Sequence, residues 1–240
     1  MKRCSNILLS NNCPFKDQCA KYKRKNCVDN SFCVKLFKLE SLFNNSLLPK
    51  NKWSRFSLYI DKDETDKEEF QELAYIEKTI KDFIQKGKNL YLYSSNCGNG
   101  KTSWAIRLLQ SYFNQVWPEV DVNENSCKAL FINLPNFFIQ LKNSISKQVD
   151  YVTSIKENVL NCDLVIWDDV GTKAGTEFEM ENFLSILDYR LCCGKSNIYT
   201  SNIVPQSLNQ YLGERLCSRI LHQNVQTICL NGQDKRGIQQ

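Results

Sequence analysis

The 240-residue sequence contains no run of 18 or more apolar residues, and the apolar stretch after its first basic residues, Ile7 to Leu9, is only three residues long. A membrane-spanning helix needs about 20 apolar residues and a secretion signal an apolar stretch of about 7 to 15, so neither is expected. Histidine is nearly missing, with His222 the single one, and no internal repeat or low-complexity tract is visible. Cysteine, by contrast, occurs 12 times. Without an export route these thiols are expected in a reducing cytoplasm, where they stay free or hold metal rather than pair as disulfides. A hydrophobic content of 42% and a charged content of 24% are near globular averages and exclude wholesale disorder. The length suits one domain of about 150 to 200 residues plus a small appendage.

The net charge of +5 is unevenly divided. Residues 1–56 carry twelve lysines and arginines against three acids, a net of +9, which leaves −4 for the remainder. A basic amino-terminal segment on a mildly acidic body points to an anionic or acidic partner, nucleic acid or protein, although charge runs also serve as plain solvated surface. Residues 1 to about 45 hold five of the twelve cysteines, and the polar stretch Leu47-Leu48-Pro49-Lys50-Asn51-Lys52 reads as a linker. The expected domains are thus a cysteine-rich segment, 1–46, and a body, 47–240.

In the body, Phe70, Leu73, Ile76, Ile80 and Phe83 recur at helical spacing between Lys67 and Gln85, and Leu90-Tyr91-Leu92-Tyr93 reads as a buried strand. The alternation repeats with strand 129–132, helices 137–145 and 152–160, strand 164–167, helix 179–191 and strand 197–200. Strands alternating with helices predict an α/β fold, a parallel sheet covered by helices on both faces.

After Tyr93 comes Ser94-Ser95-Asn96-Cys97-Gly98-Asn99-Gly100-Lys101-Thr102-Ser103, followed by an apolar-periodic helix. Strand, glycine loop and helix in that order form a phosphate-binding P-loop. Gly98 and Gly100 let backbone amides turn toward phosphates, the helix start offers its positive end, Lys101 reaches the outer phosphates and Thr102 ligates Mg²⁺. Residues 95–103 are accordingly the expected ATP-binding segment. Ser95 stands where the G-x-x-x-x-G-K-[ST] pattern has its first glycine. Downstream, Asp163-Leu164-Val165-Ile166-Trp167-Asp168-Asp169 reads as a central strand ending in two carboxylates, the Walker B partner. Mg²⁺ prefers oxygen ligands, so Asp168 is expected to hold it while Asp169 orients and deprotonates the attacking water. Asp169 is shorter than the glutamate many AAA+ proteins carry there, which bears on the hydrolysis rate.

Ile186-Leu187-Asp188-Tyr189-Arg190, Ile198-Tyr199-Thr200-Ser201-Asn202, Leu212-Gly213-Glu214-Arg215-Leu216-Cys217-Ser218-Arg219-Ile220 and Leu230-Asn231-Gly232-Gln233-Asp234-Lys235-Arg236 resemble the replicative helicase loaders of the DnaC and DnaI type and their bacteriophage relatives. The resemblance covers roughly residues 48–237. It implies an AAA+ P-loop ATPase in which Asn202 is sensor 1, Arg219 is the arginine finger for the next subunit's ATP and Arg215 supports that interface. Arg215 and Arg219 lie four apart, so on a helix they share a face; either could instead form a local ion pair. The sequence ends soon after Arg236, so a full helical lid is not expected, and a sensor 2 role for Arg236 is implied by the resemblance alone.

Cys13-x5-Cys19-x7-Cys27-x5-Cys33 forms two pairs of equal spacing. Four thiolates close a tetrahedral zinc site, which would let a short segment fold with little core. The five-residue spacing is loose for zinc, and both an iron–sulfur cluster and free cysteines stay open. Loaders of the DnaI type carry a zinc-binding amino-terminal domain that contacts the helicase, but with histidine among its ligands. The expected function is ATP-dependent loading of a replicative helicase onto single-stranded DNA, with self-association through the ATPase body and no membrane partner. An IstB-like transposition ATPase, or an adaptor using ATP as a structural ligand, are the alternatives.

Overall fold

The computed structural model describes residues 33–54, 64–121, 127–146, 150–172 and 175–232. Cys13, Cys19, Cys27 and Arg236 lie outside them. Five strands, β1 (Asn89–Tyr93), β2 (Ala129–Asn133), β3 (Leu164–Val170), β4 (Ser196–Ser201) and β5 (Val225–Cys229), form one parallel sheet in the order β2-β3-β4-β1-β5. This is the expected helix-flanked parallel sheet. Side chains alternate across it: Leu90 and Leu92 of β1 and Ile166 of β3 join one core, while Tyr91, Val165 and Trp167 join another on the opposite face. Burial on both faces explains why these strands read as continuous apolar runs.

The first core lies beneath α1 (Val34–Asn44), α2 (Lys67–Lys78), α3 (Ile80–Gln85) and α4 (Lys101–Val116). The second lies beneath α5 (Leu134–Ser146), α6 (Asp150–Asn161), α7 (Glu177–Cys192) and α8 (Leu208–Ile220). The periodic stretch 67–85 breaks at Thr79, whose hydroxyl donates to Tyr75 O at 2.9 Å, a side-chain bond that competes with the helical ladder. α8 is interrupted at Gly213 (φ +78°, ψ 161°), which leaves Arg215 and Arg219 together on the stretch after the break.

α1 falls in the segment assigned above to the cysteine-rich domain, yet it packs into the body. Leu39, Leu42 and Phe43 are buried, with Phe43 edge-on to Phe113 of α4 (centroids 4.9 Å apart) and 5.5 Å from Trp53. Phe131 of the edge strand β2 donates its amide to Ser46 O at 2.8 Å. The packed body therefore reaches back to Val34, because the apolar positions of α1 have a matching surface on α4. Cys33 caps this helix, its sulfur accepting the Leu36 amide at 3.4 Å.

At the starting ends of the strands runs a buried polar belt. Asn89 Oδ1 accepts the Asn197 amide and side chain (2.7 and 3.0 Å), and Asn197 Oδ1 accepts Trp167 Nε1 (3.1 Å) and Arg190 Nε (2.8 Å). Arg190, fully buried, satisfies its other nitrogens on the carbonyls of Val159, Cys162 and Ser196. These bonds tie β1, β3 and β4 into one register.

Candidate ATP site

The strand order makes β3, β4 and β1 neighbours, so the loops at their carboxyl ends converge on one crevice, as parallel α/β sheets arrange their ligand sites. There a cavity of about 230 Å³ is lined by residues 97–103 together with Asp169 and Asn202. Gly98 and Gly100 have φ of +76° and +101°, which suits residues without a Cβ. α4 starts at Lys101, and residues 101–103 of its first turn line the same space, a favourable place for phosphate.

Lys101 Nζ donates to Asn96 O at 2.9 Å and to Asn99 Oδ1 at 3.2 Å. Asn99, 1% exposed, also donates to Leu230 O at 2.6 Å and to Ser94 Oγ. Ser95, Asn96 and Cys97 are exposed, and of these only Cys97 lines the cavity.

Beneath the loop, Asp168 Oδ1 accepts hydroxyl protons from Thr102 at 2.8 Å and Thr200 at 2.7 Å. Burial pushes the Asp168 carboxyl above the usual carboxylate range; the two hydroxyls oppose this and the charge of Asp169 adds to it. A buried carboxylate next to a second acid and a threonine hydroxyl is the donor set a hard dication neutralises, so these residues fit Mg²⁺. β3 continues through both acids, and its pairing with β4 is irregular between Trp167 and Val170. Asp169 takes a φ of +63° there, a conformation that costs a non-glycine residue about 1–3 kcal/mol. Its amide donates to Thr200 Oγ1 at 3.1 Å and its Oδ2 accepts Asn133 Nδ2 at 3.0 Å, which hold it in place. Thr200 and Asn133 were not singled out from the sequence for these roles.

Arg215 and Arg219 do not line the cavity. Both are on α8, and Arg219 Nε donates to Asp188 Oδ1 of α7, an exposed ion pair within the chain. A larger cavity, about 330 Å³, opens at the starting ends of the strands among Lys81, Tyr112, Asp163 and Lys195, where Lys81 pairs with Glu119 and Lys195 with Asp163. Among the described residues no cluster of three or more His, Cys, Asp or Glu could hold a metal, and no helix is long and apolar enough to cross a membrane.

The bacterial DnaA ATPase domain matches residues 68–225, well over half of the chain and all of the site just described apart from Leu230. The chain belongs to the bacterial DnaA ATPase-domain family. No curated protein sequence matches it. The fold is that of a DnaC helicase loader (TM-score 0.62, 20% identity, 76% of this chain and 100% of that one) and of DnaI (TM-score 0.59, 21% identity, 80% and 95%). It is also similar to the replication initiator DnaA bound to AMPPCP and single-stranded DNA (TM-score 0.55, 20% identity, 79% and 53%). This DnaA-type domain is a replication-type AAA+ ATPase.

Proposed function

We propose that the protein loads a replicative DNA helicase onto single-stranded DNA in the cytoplasm, using ATP bound at residues 95–103. The observation that carries this reading is the completeness of the match to the DnaC helicase loader, whose whole chain is covered by this body. The DnaA-type nucleotide crevice supports it.

In this reading Lys101 and the amides of residues 98–102 bind the phosphates, and Thr102 and Asp168 hold Mg²⁺, which when bound neutralises charge on the phosphates. Asp169 accepts the proton of the attacking water and Asn202, on the cavity wall, orients that water. Arg219, with Arg215 one turn earlier, reaches the phosphates of a neighbouring copy, which requires Arg219 to exchange its Asp188 partner for phosphate oxygens. The amino-terminal segment, basic and bearing Cys13, Cys19, Cys27 and Cys33, contacts the helicase and holds a zinc ion.

The test uses the full-length chain, a hexameric replicative helicase and circular single-stranded DNA. ATP-dependent retention of the helicase on circles is the expected result. Retention that is equal without the protein, or ATP-dependent binding to duplex DNA in preference to single strands, would overturn the reading.

A further inference from the structure

Asp66 stands at the N-cap position of α2 and is 3% exposed, but its carboxylate makes no capping bond to its own helix. Instead Oδ1 accepts the amide of Asn231 and Oδ2 the amide of Gly232, both at 2.8 Å. A buried carboxylate that grips two successive amides 165 and 166 residues away fixes the position of that backbone firmly, since bonds to an ionised acceptor are shorter and stronger than neutral ones.

The stretch so gripped is the one on which the phosphate loop rests. Asn99 Nδ2 donates to Leu230 O at 2.6 Å, and Asn96 Nδ2 to Asn231 O at 3.4 Å. Leu230 is anchored from the other side as well, its amide donating to Tyr93 O at 2.9 Å at the end of β1. With the Leu230 carbonyl fixed, the Asn99 amide has one orientation. Turned over, it would set its oxygen against that carbonyl and its NH₂ against the Lys101 ammonium. In the orientation observed, Asn99 Oδ1 accepts Lys101 Nζ at 3.2 Å.

We propose that Asp66 is a positioning residue of the ATP site, acting through the Leu230–Gly232 backbone on Asn99 and thereby on Lys101. Asp66 touches no phosphate. It sets where the carbonyls of residues 230 and 231 lie, these set the Asn99 amide, and Asn99 holds the Lys101 ammonium at the rim of the cavity. The inference rests on the ATP site and not on the loader reading, and its test involves neither helicase nor DNA.

The experiment titrates a fluorescent ATP analogue into the full-length wild type, Asp66→Asn, Asn99→Ala and the double variant, with turnover at saturating ATP and a thermal melt for each. Asp66→Asn keeps the shape but sets an NH₂ group against one backbone amide. Each single variant is expected to weaken ATP binding about tenfold, the loss of roughly one charge-assisted or buried hydrogen bond. Turnover of Asp66→Asn at saturation should stay within about twofold, because the groups that act on charge developing at the phosphate are intact. The double variant should bind about as weakly as either single one, since both act through a single bridge although the two side chains do not touch. Unchanged affinity in Asp66→Asn with a lowered melting temperature would mean a purely structural role and overturn the proposal; so would losses that multiply to about a hundredfold in the double variant. If Asp66→Asn does not fold, Asp66→Ser, which leaves a single hydroxyl acceptor, is judged by the same two criteria.

Discussion

Asn133 Nδ2 donates to Asp169 Oδ2 across 3.0 Å, which ties the end of β2 to the acid assigned to the attacking water. The bond occupies and restrains one oxygen of the carboxylate assigned to take the water's proton. Asn133→Ala is expected to raise steady-state turnover by up to about tenfold, the worth of one hydrogen bond, with nucleotide affinity nearly unchanged. Phosphate release measured beside an ATP titration checks this; lower turnover would show that Asn133 places Asp169 productively rather than restraining it.

Lys101→Ala removes the ammonium that Asn96 and Asn99 hold at the rim of the cavity. ATP affinity is expected to fall by more than about tenfold with the fold intact, since a charge-assisted contact to phosphate is lost at a helix start. Calorimetry on the folded variant decides it, and wild-type affinity would remove Lys101 from the phosphate site.

For Arg219→Ala, nucleotide binding should persist while turnover at concentrations where the wild type assembles drops on the order of a thousandfold, the scale of an arginine supplied in trans. Mixing it with Lys101→Ala should restore part of the activity, because one interface then unites an intact loop with an intact finger. Normal hydrolysis by Arg219→Ala alone would leave its pairing with Asp188 as its whole role.

His222 gives a pH dependence. Burial lowers its pKa from 6.5, and its Nε2 lies 3.1 Å from Asn89 Nδ2. The unfolded chain thus binds the proton more readily than the folded one, so this stability is complete above about pH 6.5 and is lost as pH falls through the folded value. Wild type should therefore lose more melting temperature between neutral and mildly acidic pH than His222→Asn does. Parallel melting curves for the two would refute it.

The phosphate loop and the two acids were legible because each is a local signal: a strand, then glycines or carboxylates, then a helix. The contacts of Thr200, Asn133 and Asp66 escaped notice because they depend on which strands are neighbours and on pairs as far as 166 residues apart. β5 was not foreseen, since as an edge strand it has Ile228 as its one fully buried residue. α1 did carry a readable signal in Leu36, Leu39 and Phe43 at helical spacing, but the neighbouring cysteines drew those residues into a separate domain. The break at Thr79 was hidden by apolar spacing that continues through it.

The seat of α1 determines where the chain can be shortened. A fragment starting at residue 47 would strip Leu39, Leu42 and Phe43 from the core, the last of them from its contact with Phe113, on the same helix whose first residue is Lys101. Losing even one such core side chain costs about 2–5 kcal/mol, a large part of a domain's whole stability. An ATPase fragment cut there would fail through its core, and the failure would be mistaken for a need for the cysteine-rich segment; a fragment starting at or before Cys33 keeps those two causes apart.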